Sequence, residues 1–333
     1  MLMHVNEIFK KLGINKEEYD DLHITRKFSS FLAISDGKVI AMTDPWMKQC
    51  LLFDMLHHKL EENDTAFIRD RIKQAIEEKI DKFGSFTSGR ELKREDIAVP
   101  YGASEMMMYA LKKGGIDAAI TVCDGAGTVI SDSPSVVQGI GARMNGLFYT
   151  TPIPEVIRRI EAQKGICVFP DTADIDQIAG LRRAAEEGYR KIAVTINGFA
   201  DDDISSIQEI EREYGIVAVS IIVCTTGLHQ KRLEHIAQWA DLVWSCASGE
   251  LRDTVGRSSI LQISLSIPVF VLTKKGLDFT ADYSSDPGLI RDLDASRQYL
   301  ISGKFNGIPL RMGNMSTKLS EAILPVRSER EPG

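Results

Sequence analysis

From Ile97 to Leu272 short valine- and isoleucine-rich runs alternate with segments of helical length, and this alternation constrains the fold more than anything else in the chain. The apolar runs are Ile97 to Tyr101, Asp117 to Val122, Ile166 to Phe169, Lys191 to Ile196, Ile216 to Cys224, Asp241 to Cys246 and Pro268 to Leu272. The segments between them carry helix signals: Ser104 before a helix to Lys113, Ser133-Pro134 as N-cap and first turn of a helix to about Asn145, and three aspartates from Asp201 at the positive end of a helix to Tyr214. Strands covered on both faces read as continuous apolar runs, and strands alternating with helices build βαβ units. The expectation is an α/β fold with a doubly wound, mostly parallel, Rossmann-like sheet over residues 91–280.

Residues 1–90 read as a small amino-terminal α+β region packed on this core. Phe28 to Ile34 and Val39 to Met42 flank Ser35-Asp36-Gly37-Lys38, where Asp-Gly supplies the positive φ angles of a tight β-hairpin. Isoleucines 68, 72, 76 and 80 repeat every four residues, which predicts an amphipathic helix from Asp64 to Phe83 with a solvated charged face. Residues 281–333 read as a helix near Pro287 to Ile301 followed by a tail.

The 333 residues carry a net charge of −7, so no general basic field would gather a polyanion, and nucleic acid is not an expected partner. The start of the chain lacks a signal-peptide core. The longest apolar run, Ile216 to Cys224, is too short for a bilayer. Five cysteines without a C-x-x-C pair fit a reducing compartment. The expected setting is cytoplasmic, with no membrane partner and, from base rates of symmetric assembly, a homodimer.

In a parallel sheet the carboxyl ends of the strands share one edge, where ligands bind. The residues this brings together are Cys123, Asp124, Gly125, Gly127 and Thr128 after one strand, Asp171 after the next, then Asn197, then Thr225, Thr226 and Gly227 after Cys224, and Ser248 after Cys246. Cys123 reads as a thiol nucleophile or a packing residue, and Asp124 as a proton carrier or a turn carboxylate. Gly125 and Gly127 leave backbone amides open to an anion, and Arg143 is a candidate clamp for it. Cys50 and Cys246, with Cys123 and Cys224, are candidate ligands of a soft metal or cluster, although local metal-ligand spacing is lacking. Gly102-Ala103-Ser104-Glu105-Met106 resembles a hydrolase elbow, but Met106 replaces its final glycine and an N-cap explains Ser104. Gly139-Ile140-Gly141 fits close helix packing better than a dinucleotide fingerprint.

The runs VCDGAGTVI, VQGIGARMNGL, TTPIPEVI and DTADIDQIAG, then TTG at 225–227 and CAS followed by GRSSILQ, resemble the methanogenesis marker protein 8 family over about residues 28 to 275. Cys224 departs from it, standing where a histidine is expected before TTG. The family brings no established reaction and no catalytic residues. The resemblance implies an anaerobic cytoplasm and one-carbon or coenzyme-related metabolism. The expected function is that of an enzyme acting on a small anionic metabolite or cofactor precursor, its cofactor unknown. The alternatives are a non-catalytic ligand-binding protein and a maturation factor with an anaerobic metalloenzyme partner.

Overall fold

The computed structural model describes residues 5–47, 65–142, 144, 146–200, 203–246 and 248–327. Two sheets organise them. The smaller begins with β1 (His23–Lys27), β2 (Ser30–Ser35) and β3 (Lys38–Met42). Asp36 at φ 50° and Gly37 at φ 68° make the tight β2–β3 turn that Asp-Gly predicts. The next strands are β4 (Ala118–Cys123), β5 (Gly127–Ser131) and β6 (Gly146–Thr150), and β6 leaves its neighbours in sequence to pair antiparallel with β1. The small sheet therefore runs β3-β2-β1-β6, antiparallel throughout.

The remaining strands are β7 (Ile166–Cys167), β8 (Lys191–Asn197), β9 (Val217–Val223), β10 (Leu242–Trp244), β11 (Leu261–Ile263), β12 (Val269–Val271), β13 (Tyr299–Ser302), β14 (Ile308–Met312) and β15 (Met315–Glu321). With β4 and β5 they form an eleven-stranded sheet ordered β14-β15-β13-β11-β12-β10-β9-β8-β4-β5-β7. Its centre, β10-β9-β8-β4, is parallel. Both flanks are built mainly from antiparallel pairs, with β11 and β13 parallel. The fold is thus mixed α/β, and parallel pairing covers the centre of the sheet instead of most of it.

Three local differences from the sequence expectation have physical causes. Cys123 to Gly127 does not feed a helix: Gly125 at φ 79° and Gly127 at φ 64° turn the chain back, and the β-branched run from Thr128 to Ile130 pairs antiparallel with β4. Ile97 to Tyr101 forms no strand, because Glu105 Oε1 accepts the amides of Ala98 and Val99, each at 3.0 Å, and takes those donors from any ladder. The helix beginning at Pro287 stops at Arg291, and Tyr299–Ser302 joins the sheet between β11 and β15.

Strand residues alternate between two apolar layers. Ala119, Ala193, Val219 and Ile221 meet the helices Ala103–Lys113, Pro134–Gly141 and Lys274–Ala281 on one face. Ala118, Ile120, Val194, Ala218 and Ile222 meet Gln177–Glu186, Ser206–Tyr214, Gln230–Trp239 and Gly249–Thr254 on the other. Under the small sheet, Ile68, Ile72, Ile76 and Ile80 of the helix Thr65–Phe83 pack on Leu32 and Ile34, as their spacing predicts. No helix among the described residues is long and apolar enough to cross a membrane.

The helix Pro134–Gly141 lies where only glycine fits. A Cβ on Gly139 would sit 2.3 Å from the Leu92 carbonyl group, and one on Gly141 would sit 2.5 Å from Ser104 Cβ. Replacing Gly139 by alanine gains about 1 kcal/mol of helix propensity, against an overpacking cost of about 1–3 kcal/mol that unyielding backbone pushes to its upper end. Gly139→Ala is predicted to lower unfolding stability by roughly 2 kcal/mol in urea titration; a more stable variant would show that the contact is not tight.

Candidate functional site

The carboxyl ends of β4, β8, β9 and β10 form the floor of a cavity of about 320 Å³. Thr121, Thr195 and Val223 line it from the ends of their strands, together with Trp244 of β10. Its roof is brought from elsewhere: Arg26, Lys27 and Phe28 at the end of β1, Gly146 and Leu147 of β6, and the first turn of the helix Ala103–Lys113. A crevice at the carboxyl edge of parallel strands is where open α/β sheets bind ligands. The size falls at the lower end of small-molecule sites.

Two thiols reach this cavity, from Cys224 and Cys246. Both residues have left-handed backbone, at φ 58° and 46°. This conformation costs an L-residue roughly 1–2 kcal/mol and concentrates at functional sites. Val223 and Cys224 line the cavity from consecutive positions at the end of β9. Burial pushes the Cys224 thiol up to about 12; Cys246 adds to the rise and Arg26 opposes it.

Arg26 is buried with its guanidinium 4.5 Å from the Phe199 ring and 5.5 Å from the Trp46 ring. Its Nη2 donates to the Thr226 carbonyl at 2.7 Å, which fastens the loop after β9. Two other buried arginines hold neighbouring loops in the same way: Arg232 Nε donates to the Gly198 carbonyl and Arg252 Nη2 to the Cys246 carbonyl, both at 3.0 Å. The strand ends are therefore a rigid rim. In the first turn of the helix Ala103–Lys113, Glu105 is occupied by the Ala98 and Val99 amides, Gln138 Nε2 at 3.0 Å and the Ser104 hydroxyl at 3.1 Å. Thr121 Oγ1 and Gln177 Oε1 are buried in the wall and make no hydrogen bond within the described residues.

Of the residues expected at the site, Asn197, Thr226 and Cys246 line the cavity. Thr225 is buried beside it and donates its hydroxyl to the Trp244 carbonyl, while Ser248 caps the helix Gly249–Thr254 through the Leu251 amide at 3.1 Å. Gly227, at φ 84°, lies against the Trp46 indole. Asp171 is exposed in the loop beyond β7. Arg143 and Cys50 lie outside the described residues. Among those described, no group of three or more His, Cys, Asp and Glu is arranged to hold a metal ion.

Cys123, Asp124, Gly125, Gly127 and Thr128 form the β4–β5 turn, away from the cavity wall. Cys123 is sealed in an apolar cluster with Val129, Val136 and Ile140, and burial raises its thiol pKa, the reverse of what a thiolate nucleophile needs. Asp124 accepts Arg90 Nε at 2.8 Å and the Phe86 amide, while Arg90 Nη2 reaches the Ile140 carbonyl at 2.9 Å. This pair ties three segments together. The Gly125 amide donates to Thr150 Oγ1 at 2.8 Å, and a Cβ on Gly127 would lie 2.2 Å from the Ala173 carbonyl oxygen. Thr128 Oγ1 donates to the Asp174 carbonyl at 3.0 Å.

Sequence reasoning missed Arg26, Lys27, Glu105 and Gln177. The hairpin expected from the sequence begins at Phe28, so most of β1 falls outside any expected element; the available signal is the apolar Ile24 among polar residues ahead of Arg26.

Fold and site define a class: a mixed α/β protein whose amino-terminal sheet closes a cavity over the carboxyl ends of a parallel centre. Residues 23–283 match the family described as "Uncharacterized protein conserved in archaea (DUF2099)", and the chain belongs to that family. The match begins with β1 and ends at Tyr283, so it takes in both walls of the cavity and leaves out β13 to β15. The chain is 36% identical over 258 residues to Uncharacterized protein MJ0054 of Methanocaldococcus jannaschii, covering 77% of this chain and 87% of that protein.

Burial alone would raise the Asp124 carboxyl, but the Arg90 charge and the Phe86 amide overcome it and hold the pKa below the ordinary 3.8. Its stabilisation is therefore present above the unfolded-state value and is lost as pH falls through the lower folded one. Asp124→Asn leaves Arg90 buried without its counter-charge and is predicted to cost about 3–5 kcal/mol at pH 7, a difference from the unsubstituted protein that shrinks below about pH 4. Denaturant titrations at both pH values check this. Equal stability at pH 7 would remove the structural role.

Proposed function

We propose that the cavity is the site of an enzyme acting on a small organic anion, a metabolite or cofactor precursor in the anaerobic cytoplasm that the resemblance to methanogenesis marker protein 8 implies. One observation carries the reading: a buried arginine and two thiols with left-handed backbone converge on a single cavity at the carboxyl ends of the parallel strands. Arg26 and Lys27 supply positive charge on one wall, where a carboxylate or phosphate gains charge-assisted hydrogen bonds. Trp244, Met107, Val122 and Leu147 offer apolar area for its body. Thr121 Oγ1 and Gln177 Oε1 supply the polar contacts that buried groups require. The thiols of Cys224 and Cys246 take the chemical role that the sequence pointed to at Cys123, and Asp124 keeps the turn.

A second reading, a non-catalytic binding protein, is favoured by the high pKa of Cys224, which keeps that sulfur a neutral thiol at pH 7. Both readings require the same anion site. In calorimetric titrations with mono- and dicarboxylates and phosphate monoesters, at least one member of the panel is predicted to bind, and Arg26→Ala to weaken it about tenfold or more. Arg94→Ala, a change at a surface ion pair with Asp96, is expected to leave binding unchanged. Binding unaffected by loss of Arg26 would contradict the assignment.

A further inference from the structure

We infer that Cys224 and Cys246 work as a dithiol pair that reduces a small disulfide entering the cavity. The reading of the cavity as a site open to small molecules underlies this inference, but the identity of the anion does not enter it.

The pairing register places the two residues together. β9 and β10 are parallel, with Leu242 beside Ile221 and Val243 beside Ile222. Cys224 directly follows β9 and Cys246 stands two residues past the end of β10, so the two cysteines leave neighbouring strand ends within two residues of the ladder, close enough for each thiol's charge to be felt by the other. The two loops stay adjacent past the ladder because Thr225 donates its hydroxyl to the Trp244 carbonyl. Both cysteines line the same cavity, and both have left-handed backbone. Arg26 and Arg252 hold the Thr226 and Cys246 carbonyls, which fixes the two loops.

The roles follow from cover. A Cβ on Gly146 would lie only 3.1 Å from Cys224 Sγ, so β6 shields that sulfur and fits it to the resolving role. Cys246 is the attacking thiol. Its sulfur, as thiolate, attacks one sulfur of R–S–S–R; the S–S bond breaks and RS⁻ leaves, taking a proton to become RSH. Cys224 then gives up its proton and attacks the Cys246 sulfur, which releases the second RS⁻ as RSH. Two thiols are oxidised to one Cys224–Cys246 disulfide, and one small disulfide is reduced to two thiols. Cys123 and Cys167 also share a cluster, but it is apolar and neither residue lines the cavity that a small disulfide would enter. They serve as an internal control.

The experiment treats the reduced protein with 2-hydroxyethyl disulfide without oxygen, followed by acid quench, alkylation and peptide mass mapping. The protein is expected to acquire a Cys224–Cys246 link with no lasting adduct. Cys224→Ser is expected to trap one mercaptoethanol adduct on Cys246, and Cys246→Ser to react about tenfold or more slowly. A link using Cys50, Cys123 or Cys167, or stable adducts on the unsubstituted protein without a link, would overturn the pairing. If carboxylates bind in an Arg26-dependent way but no cysteine reacts, the dithiol assignment fails and the anion site stands. If neither occurs, both fail.

Discussion

The pairing of β6 with β1 is the constraint on which the cavity depends. β6 arises between two helices of the larger sheet, yet it bonds to the amino-terminal strand and holds the small sheet over the carboxyl ends of β4, β8, β9 and β10. Its register sets Gly146 beside Arg26 and Leu147 beside Thr25, with a bulge between Ile24 and Thr25. Thr25 donates its hydroxyl to the Gly146 carbonyl at 3.1 Å, and His23 Nδ1 lies 2.6 Å from Thr150 Oγ1, which in turn accepts the Gly125 amide. One strand thereby aims Arg26 at the cavity, covers Cys224 and anchors the β4–β5 turn. The bulge belongs to this arrangement, since bulges re-aim side chains where a sheet meets a site.

Charge is buried around this frame for position more than for stability. Removing a guanidinium or carboxylate from water costs several kcal/mol, and a paired buried ion recovers little beyond that cost. What Arg26, Arg232 and Arg252 share is donation to backbone carbonyls in strand-end loops, while Arg90 donates to the Ile140 carbonyl in the last turn of the helix Pro134–Gly141. Carbonyls where strands and helices finish lack a regular partner, and a planar donor with five N–H groups satisfies them while fixing the chain. A rigid rim lets Cys224 and Cys246 keep a backbone conformation they would not otherwise hold.

Much of this was legible in the sequence. Continuous apolar runs gave β8, β9, β10 and their parallel pairing, the isoleucine stripe gave the helix beneath the small sheet, and Asp-Gly gave the β2–β3 turn. Gly139 and Gly141 announced close packing. Less visible was anything set by pairing beyond the local pattern: β5 reads as loop after the glycine turn, β13 to β15 as helix and tail, and β6 as no strand, since its partner β1 lies far back in the chain. The site was legible in part for the same reason. Asn197, Thr226 and Cys246 follow from reading strand ends, whereas Arg26 reaches the cavity only through the β1–β6 pairing. In sequence the glycines of the Cys123 turn fit an amide cradle; in the fold Gly125 lies against the Ile153 side chain and Gly127 against the Ala173 carbonyl, so both serve close packing.

The most direct measurement of the central claim is native mass spectrometry of the protein purified without oxygen, followed by identification of any molecule released on denaturation. The account predicts a substoichiometric to stoichiometric small anion, retained by the intact protein and lost from Arg26→Leu at equal folding. A molecule retained equally by both proteins would contradict it, because the cavity beneath β1 would then not be where the ligand is held.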